Sequence, residues 1–258
     1  LKIESGKKLT AKESKNSGLD SHGAKGEKAP VNPFLKYEIT GDTVTITHSD
    51  RGASGALIIP AIIEGKPVTR IGELACGGCK SLKSITIPGS ASNIGASTFH
   101  GCKSLTEIII PDSVTDIGES TFFGCRSLKR ITIPDSVSSI GSYAFWNCSS
   151  LTSITIPDGV TSIGQQAFYG CTSLTSISIP DSVTRIGHWA FGNCISLPSI
   201  TIADSVTMVE SWHFRNCTSL QSVPIGTSVT IVDAYTVRAC PSLRSESRPV
   251  LKDSHSLC

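Results

Sequence analysis

The sequence lacks a long apolar run. Its longest near-continuous one, Ala56 to Ile63, is broken by Pro60, whereas a membrane-crossing helix needs roughly 18 apolar residues or more. No transmembrane segment is therefore expected. Excess charge is missing too. Lys and Arg number 23 against 21 Asp and Glu, a net +2, which gives no general attraction to nucleic acid. No nucleophile stands beside a base, so no enzyme and no cofactor are expected. Metal-ligand spacing is equally scarce. The lone Cys76-Gly-Gly-Cys79 lacks both the second pair of a zinc ribbon and the βαβ context of a redox motif. No secretory leader is visible, and because the chain starts at Leu1 rather than Met this decides little.

What the sequence does have is a period. The phrase from Pro134 to Ile156 begins again at Pro157 and Pro180, and backwards at Pro111 and Pro88, 23 residues apart each time. Phe99, Phe122, Phe145, Phe168, Phe191 and Phe214 keep this spacing, as do the cysteines from Cys79 to Cys240. A fixed period of this length means that each unit is one coil of a solenoid, unable to bury its own apolar face until its neighbours stack on it. Ile154 and Ile156 alternate with Ser153 and Thr155, a strand with one buried face. Val137 and Ile140 give a second, shorter inward segment, and Ser142 to Phe145 reads as one helical or 3₁₀ turn.

Leu151-x-x-Ile154-x-Ile156 is the core of a leucine-rich repeat. With Pro after the strand, then Val-x-x-Ile-Gly and Ala-Phe-x-Gly/Asn-Cys, residues 35–243 resemble the BspA-like (Treponema-type) leucine-rich repeat family. Gly159 departs from the common repeat type, which has Asn or Cys there. The resemblance implies a surface-exposed or secreted protein that binds host proteins, cells or matrix. It supplies no catalytic residue.

The chain divides into four expected parts. Residues 1–33 are a disordered tail, with seven lysines against Glu4, Glu13, Asp20 and Glu27 and almost no large apolar residue. Residues 34–59 form an N-terminal β cap, with a hairpin turning at Gly41-Asp42. Residues 60–243 are the solenoid, about eight coils; five extra residues bulge near Glu64-Gly65-Lys66, and Cys76 takes the place of the ladder Phe. Residues 244–258 are a C-terminal tail. The fold expected is thus a right-handed parallel β-solenoid of 23-residue coils with short helical or 3₁₀ turns and a β-hairpin cap.

Several columns have structural readings. Gly or Asn precedes every ladder cysteine from Cys79 to Cys217, which marks a left-handed backbone position. Stacked cysteines point in parallel rather than converging, so they read as buried thiols acting as small hydrophobes; whether Cys76 and Cys79 pair stays open. Asp112, Asp135, Asp158, Asp181 and Asp204 read as Asx turns accepting backbone N–H groups. The serines two after each cysteine read as caps of backbone N–H groups.

The candidate binding residues are aromatic and basic. Phe123, Trp146 and Tyr169 follow the ladder Phe by one; Tyr143, Trp189, Trp212 and Tyr235 precede that position by two. Either these rings pack over neighbouring coils, or they form an exposed stripe for a partner or a sugar. Lys80, Lys103 and Arg126 share the column after the cysteine and add a basic strip. The function expected is non-catalytic binding or adhesion at a cell surface or in secretion, by a monomer, with a protein or glycan partner. The alternative is an intracellular, cytoplasmic repeat scaffold, which unpaired cysteines would suit.

Overall fold

A computed structural model describes residues 33–243 except 207, 210, 211, 230 and 233–235, with the side chains of 208, 209, 231 and 232 also left aside. The tail expected at 1–33, apart from Pro33, and the one at 244–258 lie outside the described residues.

The fold is a parallel β-solenoid. Each regular coil contributes one three-residue strand and one two-residue strand, on two different faces. The longer strands stack as β3 (Ser54–Ile58), β6 (Ser81–Thr86), β8 (Glu107–Ile109) and β10 (Arg130–Thr132), with β12 (Ser153–Thr155) and β14 (Ser176–Ser178) continuing the series as a separate pair. The shorter ones stack as β9 (Asp116–Ile117), β11 (Ser139–Ile140), β13 (Ser162–Ile163) and β15 (Arg185–Ile186). Pairing is parallel and in register at one coil per step: Ile131 faces Ile108, and Ile163 faces Ile140 and Ile186. Each strand carries one inward isoleucine, Ile154 in the longer and Ile140 in the shorter.

The interior is a set of columns. In one coil Val137, Ile140, Phe145, Cys148, Leu151, Ile154 and Ile156 are all buried. The phenylalanines stack ring on ring with centroids 5.2 to 5.9 Å apart. The cysteines do more than fill space. The Sγ of Cys148 donates to the carbonyl of Phe122 at 3.2 Å, and those of Cys125, Cys171, Cys194, Cys217 and Cys240 repeat the bond with Phe99, Phe145, Phe168, Phe191 and Phe214. Each thiol thus ties its coil to the one before. Cys76 and Cys79 are buried and free. Burial drives every one of these thiols up in pKa, to about 12 for Cys102 and Cys171.

Of the helical or 3₁₀ turn expected here, the structure keeps 3₁₀-type bonds at alternate residues and forms no continuous helix. Tyr143, Phe145 and Asn147 donate their backbone N–H groups to Gln165, Ala167 and Tyr169 of the next coil, while Ala144, Trp146 and Cys148 donate to Gly141, Tyr143 and Phe145 three residues back. Alternate donors therefore leave the coil, and a helix, which needs them all within itself, cannot form. The Gly/Asn column is left-handed as its composition demands, with φ between 53° and 77°, Ala239 included. A second left-handed column was not legible: Leu74, Ser97, Ser120, Tyr143, Gln166, Trp189 and Trp212, at φ between 53° and 70°.

Two side-chain readings are corrected. The aspartates do not make Asx turns. Asp112, Asp135, Asp158 and Asp181 are exposed and make no hydrogen bond with described residues; only Asp204 accepts from a backbone N–H, that of Ser228 in the next coil. The residue after the aspartate does the tying instead, since Ser113, Ser136, Ser182 and Ser205 donate to carbonyls of the preceding coil at 2.6 to 2.8 Å. The serines two after each cysteine do not cap N–H groups: Ser242 donates to the Thr218 carbonyl, and Ser81, Ser104, Ser127, Ser150, Ser173, Ser196 and Ser219 make no side-chain hydrogen bond with described residues.

At the N-terminal end, β1 (Leu35–Thr40) and β2 (Thr43–Ser49) form an antiparallel hairpin around Gly41-Asp42. The five-residue bulge is a second hairpin, β4 (Ile62–Ile63) with β5 (Lys66–Ile71), turning on Glu64 and Gly65 at positive φ. Tyr37 donates its hydroxyl to Glu64 at 2.8 Å, and Lys66 reaches the Gly41 carbonyl and Asp42. β2 also runs parallel to β5, which joins this end to the stack. β7 (Asn93–Ile94) extends that sheet, and β16 (Met208–Val209) pairs with β17 (Ile231–Val232) in the later coils.

Candidate functional site

The rings singled out by sequence lie on the turns that connect the two strand faces. Phe123, Trp146, Tyr169, Tyr143, Trp189 and Trp212 are all half-buried; Tyr235 lies outside the described residues. Their position follows from the alternation just described. The ladder Phe points in, and the residues one after it and two before it project from the turn, the latter held outward by a left-handed backbone.

The two columns are not separate. His100 stacks on Phe123 at 4.5 Å, Phe123 on Trp146 at 4.3 Å, and Trp146 on Tyr169 at 6.1 Å. The ladder then changes column: Tyr169 meets Trp189 edge-on at 5.9 Å, and Trp189 stacks on Trp212 at 5.2 Å. Gly192 makes the crossing feasible. It occupies the ring column, and a Cβ there would sit 2.8 Å from Tyr169 Cδ2 and 3.1 Å from Trp189 Cε3. The missing side chain leaves the space in which the two rings meet. Beyond it Arg215 takes the ring column, its guanidinium 4.7 Å from the Trp212 ring centre and 5.2 Å from that of Trp189, with Arg238 at 5.6 Å from Trp212. Such placements are cation–π contacts.

The result is one ladder of six rings crossing successive coils. His100, Gly192, Arg215 and Arg238 join it only in the structure; the lone Gly between Tyr169 and Arg215 is their one mark in the sequence. Tyr143 is left out, with no ring contact to any described residue. Lys80, Lys103 and Arg126 are exposed, and their side chains make no hydrogen bond or ion pair with described residues. Lys103 and Arg126 lie three residues after His100 and Phe123, so the basic strip accompanies the N-terminal end of the ladder and the two arginines its C-terminal end.

Except at the Tyr169–Trp189 crossing, the rings stack face to face, and there their faces are largely covered by one another. What remains accessible is their rims: indole and phenol edges with their polar N–H and O–H groups. A sugar that stacks needs an open ring face, which this arrangement does not offer along its length. Elsewhere, no group of three or more His, Cys, Asp or Glu among the described residues could hold a metal ion. No described helix is long and apolar enough to cross a membrane.

The profile of the BspA type leucine rich repeat region matches the chain in six copies, over residues 59–172 and 138–250. Among solved structures, a leucine-rich repeat protein from Bacteroides ovatus is similar, with 33% identity and a TM-score of 0.72 over 78% of this chain and 54% of that one. The chain therefore spans about half the length of that relative. The T. pallidum leucine-rich repeat protein is similar at 27% identity and a TM-score of 0.58, over 86% of this chain and 92% of that one. No curated protein matches.

Proposed function

This chain belongs to the BspA-type leucine-rich repeat family, and from that premise we propose that it is a non-catalytic binding module, displayed at a cell surface or secreted, whose ladder of ring edges engages an acidic protein. Leucine-rich repeat families are typically non-catalytic. The observation that carries the reading is the ladder itself, with Lys80, Lys103 and Arg126 beside one end and Arg215 and Arg238 at the other. Trp, Tyr and Arg supply most binding hot spots, because they bury large area for little lost side-chain freedom. The covered ring faces favour a protein over a stacking glycan at this edge. The described cysteines do not require a reducing compartment: each is buried and its thiolate is disfavoured, which makes it slow to oxidise.

The test is capture of a partner followed by calorimetry. Trp189→Ala with Trp212→Ala should weaken binding by at least about 2 kcal/mol, the usual hot-spot threshold. Thr155→Ala and Thr201→Ala, on the long-strand face, should each change it by well under about 1 kcal/mol on the same scale. Normal binding by the tryptophan variant, with loss in the threonine variants, would move the site to the strand face and defeat the proposal.

A further inference from the structure

A second surface lies on the short-strand side, one residue along the chain from the column of Tyr143 and Trp189. In each regular coil a glycine follows the buried isoleucine: Gly95, Gly118, Gly141, Gly164 and Gly187. Their backbones are not left-handed, so conformation does not explain the choice. Crowding does. A Cβ at Gly141 would lie 2.7 Å from the Glu119 nitrogen, at Gly164 2.4 Å from that of Ser142, and at Gly187 2.5 Å from that of Gln165. Coil stacking thus forbids a side chain at Gly141, Gly164 and Gly187, and likewise at Gly95, whereas a Cβ at Gly118 would meet nothing nearer than 3.5 Å; the run of glycines leaves a trough.

Between Ser139 and His188 the trough widens into a depression of about 500 Å³, within the size range of small-ligand sites. Ser139, Ser162 and Arg185 form one wall, and Ser142, Gln165 and His188 the other. Short serines make the width. The lining is mixed, with hydrogen-bonding side chains on its walls and Ile140 and Ile163 as its floor. Ser139 is committed: it donates to Asp116 at 2.7 Å, and that bond, helped by Thr115 and Ser138, holds the Asp116 carboxyl below its ordinary pKa. The side chains of Ser142, Ser162, Gln165 and Arg185 make no hydrogen bond or ion pair with any described residue. Five guanidinium N–H groups, an amide and two hydroxyls are therefore available on one concave surface.

Charge orders the trough lengthwise. Asp116 adjoins its Ser139 end, and Arg185 lies in the same column two coils beyond Ser139. An anion is drawn to Arg185 and repelled at the other end, with neutral donors and acceptors between. We propose that this trough binds a sugar acid, the carboxylate of a uronic acid residue on Arg185 and its hydroxyls on Gln165, Ser162 and Ser142. Guanidinium meets carboxylate through two parallel hydrogen bonds, which fixes orientation as well as sign. Ring hydroxyls match the serine and amide groups in number and kind. This site adjoins the protein-binding edge at Trp189 but uses none of the ladder's rings.

The experiment titrates the whole chain with glucuronate, glucose and inorganic phosphate at matched ionic strength, up to about 10 mM, since a single small site of this kind works in the millimolar range. Glucuronate should bind at least about tenfold more tightly than glucose. R185Q, at an exposed position, should keep the fold and lose about tenfold for glucuronate, whereas W146A should bind it as the parent does. Q165A should weaken glucuronate and leave phosphate unchanged. Equal response to glucuronate and glucose, or unchanged binding in R185Q, overturns the site. Phosphate binding as tightly as glucuronate reduces it to a bare anion site and overturns the sugar assignment.

Discussion

Two stacks of rings run through this molecule a few residues apart, one inside and one on the turn edge. The inner stack is uniform: six phenylalanines, all fully buried, at centroid spacings of 5.2 to 5.9 Å. The outer one is mixed, His, Phe, Trp, Tyr, Trp and Trp, half-buried, at 4.3 to 6.1 Å. Coil stacking sets the rise in both. Packing on all sides permits one shape inside, whereas outside a ring need only lie against its neighbours. Uniformity therefore marks a demand of the fold, and variety at the same spacing marks a position released from it. Even the column is negotiable outside: the ladder changes track at Gly192, which no interior column does.

Breaking the inner stack should have the largest effect. Phe145→Ala should cost about 3–5 kcal/mol, the range for deleting a core aromatic, and the damage should spread because both neighbouring coils lose a stacking surface. A shift in the urea midpoint measures it; a midpoint that hardly moves would put Phe145 outside the core. Alkali attacks the same interior through its thiols. Their folded pKa values are raised, so the stability they contribute is complete below the ordinary thiol value of 9.0 and is lost as pH climbs toward about 12, where Cys102 and Cys171 titrate. Thermal melts should hold steady below pH 9 and fall progressively above it; a flat profile there would mean that the thiols are already accessible.

The outer stack should tolerate more. Trp189→Ala with Trp212→Ala removes a stacked pair, worth about 0.5–1.5 kcal/mol beyond its buried area, with the Tyr169 edge contact and the arginine contacts, yet from half-buried positions, and should lower stability by less than the Phe145→Ala loss in the same urea titration. An equal loss would erase the distinction between the two stacks. Smallest of all is Thr155→Ala on the exposed strand face, within about 0.5 kcal/mol of the parent, as expected for an exposed position without special contacts.

Interior and exterior also differ in how far they could be read from sequence. Phe145, Cys148 and Leu151 announce themselves because burial repeats the same residue in every coil. The Gly/Asn column announces its left-handed backbone for the same reason. The second left-handed column does not, since Ser120, Tyr143, Gln166 and Trp189 share no backbone preference; inter-coil hydrogen bonds impose φ there against a steric penalty on the order of 1–2 kcal/mol per residue. At Ser142 to Phe145 only single 3₁₀-type bonds form rather than a helix, because local pattern cannot show that every second N–H is taken by the next coil. The aspartate reading failed at Asp135 because Ser136, beside it, already ties the coils. For the candidate site, sequence placed Phe123, Trp146 and Tyr169 in one column and Trp189 and Trp212 in another. That these columns join depends on the void at Gly192, a three-dimensional fact.

The alternating donors of the turn edge have a directional consequence. Tyr143, Phe145 and Asn147 all send their N–H groups toward the C-terminal coil, whereas Ser138, Gly141 and Thr152, on or beside the strand faces, send theirs toward the N-terminal one. The solenoid is thus two antiparallel bundles of amide dipoles, which largely cancel, so that unlike a helix it builds little net charge at either tip. Its tips nevertheless differ chemically. On the turn edge the first coil presents a carbonyl to be met, and Ser49 of the cap hairpin meets the one on Ala75 with its N–H; at the opposite tip the same edge presents donors. A cap that closes one end cannot close the other. An inserted internal coil would fit anywhere in this stack, but the hairpin at residues 35–49 fits only where it is.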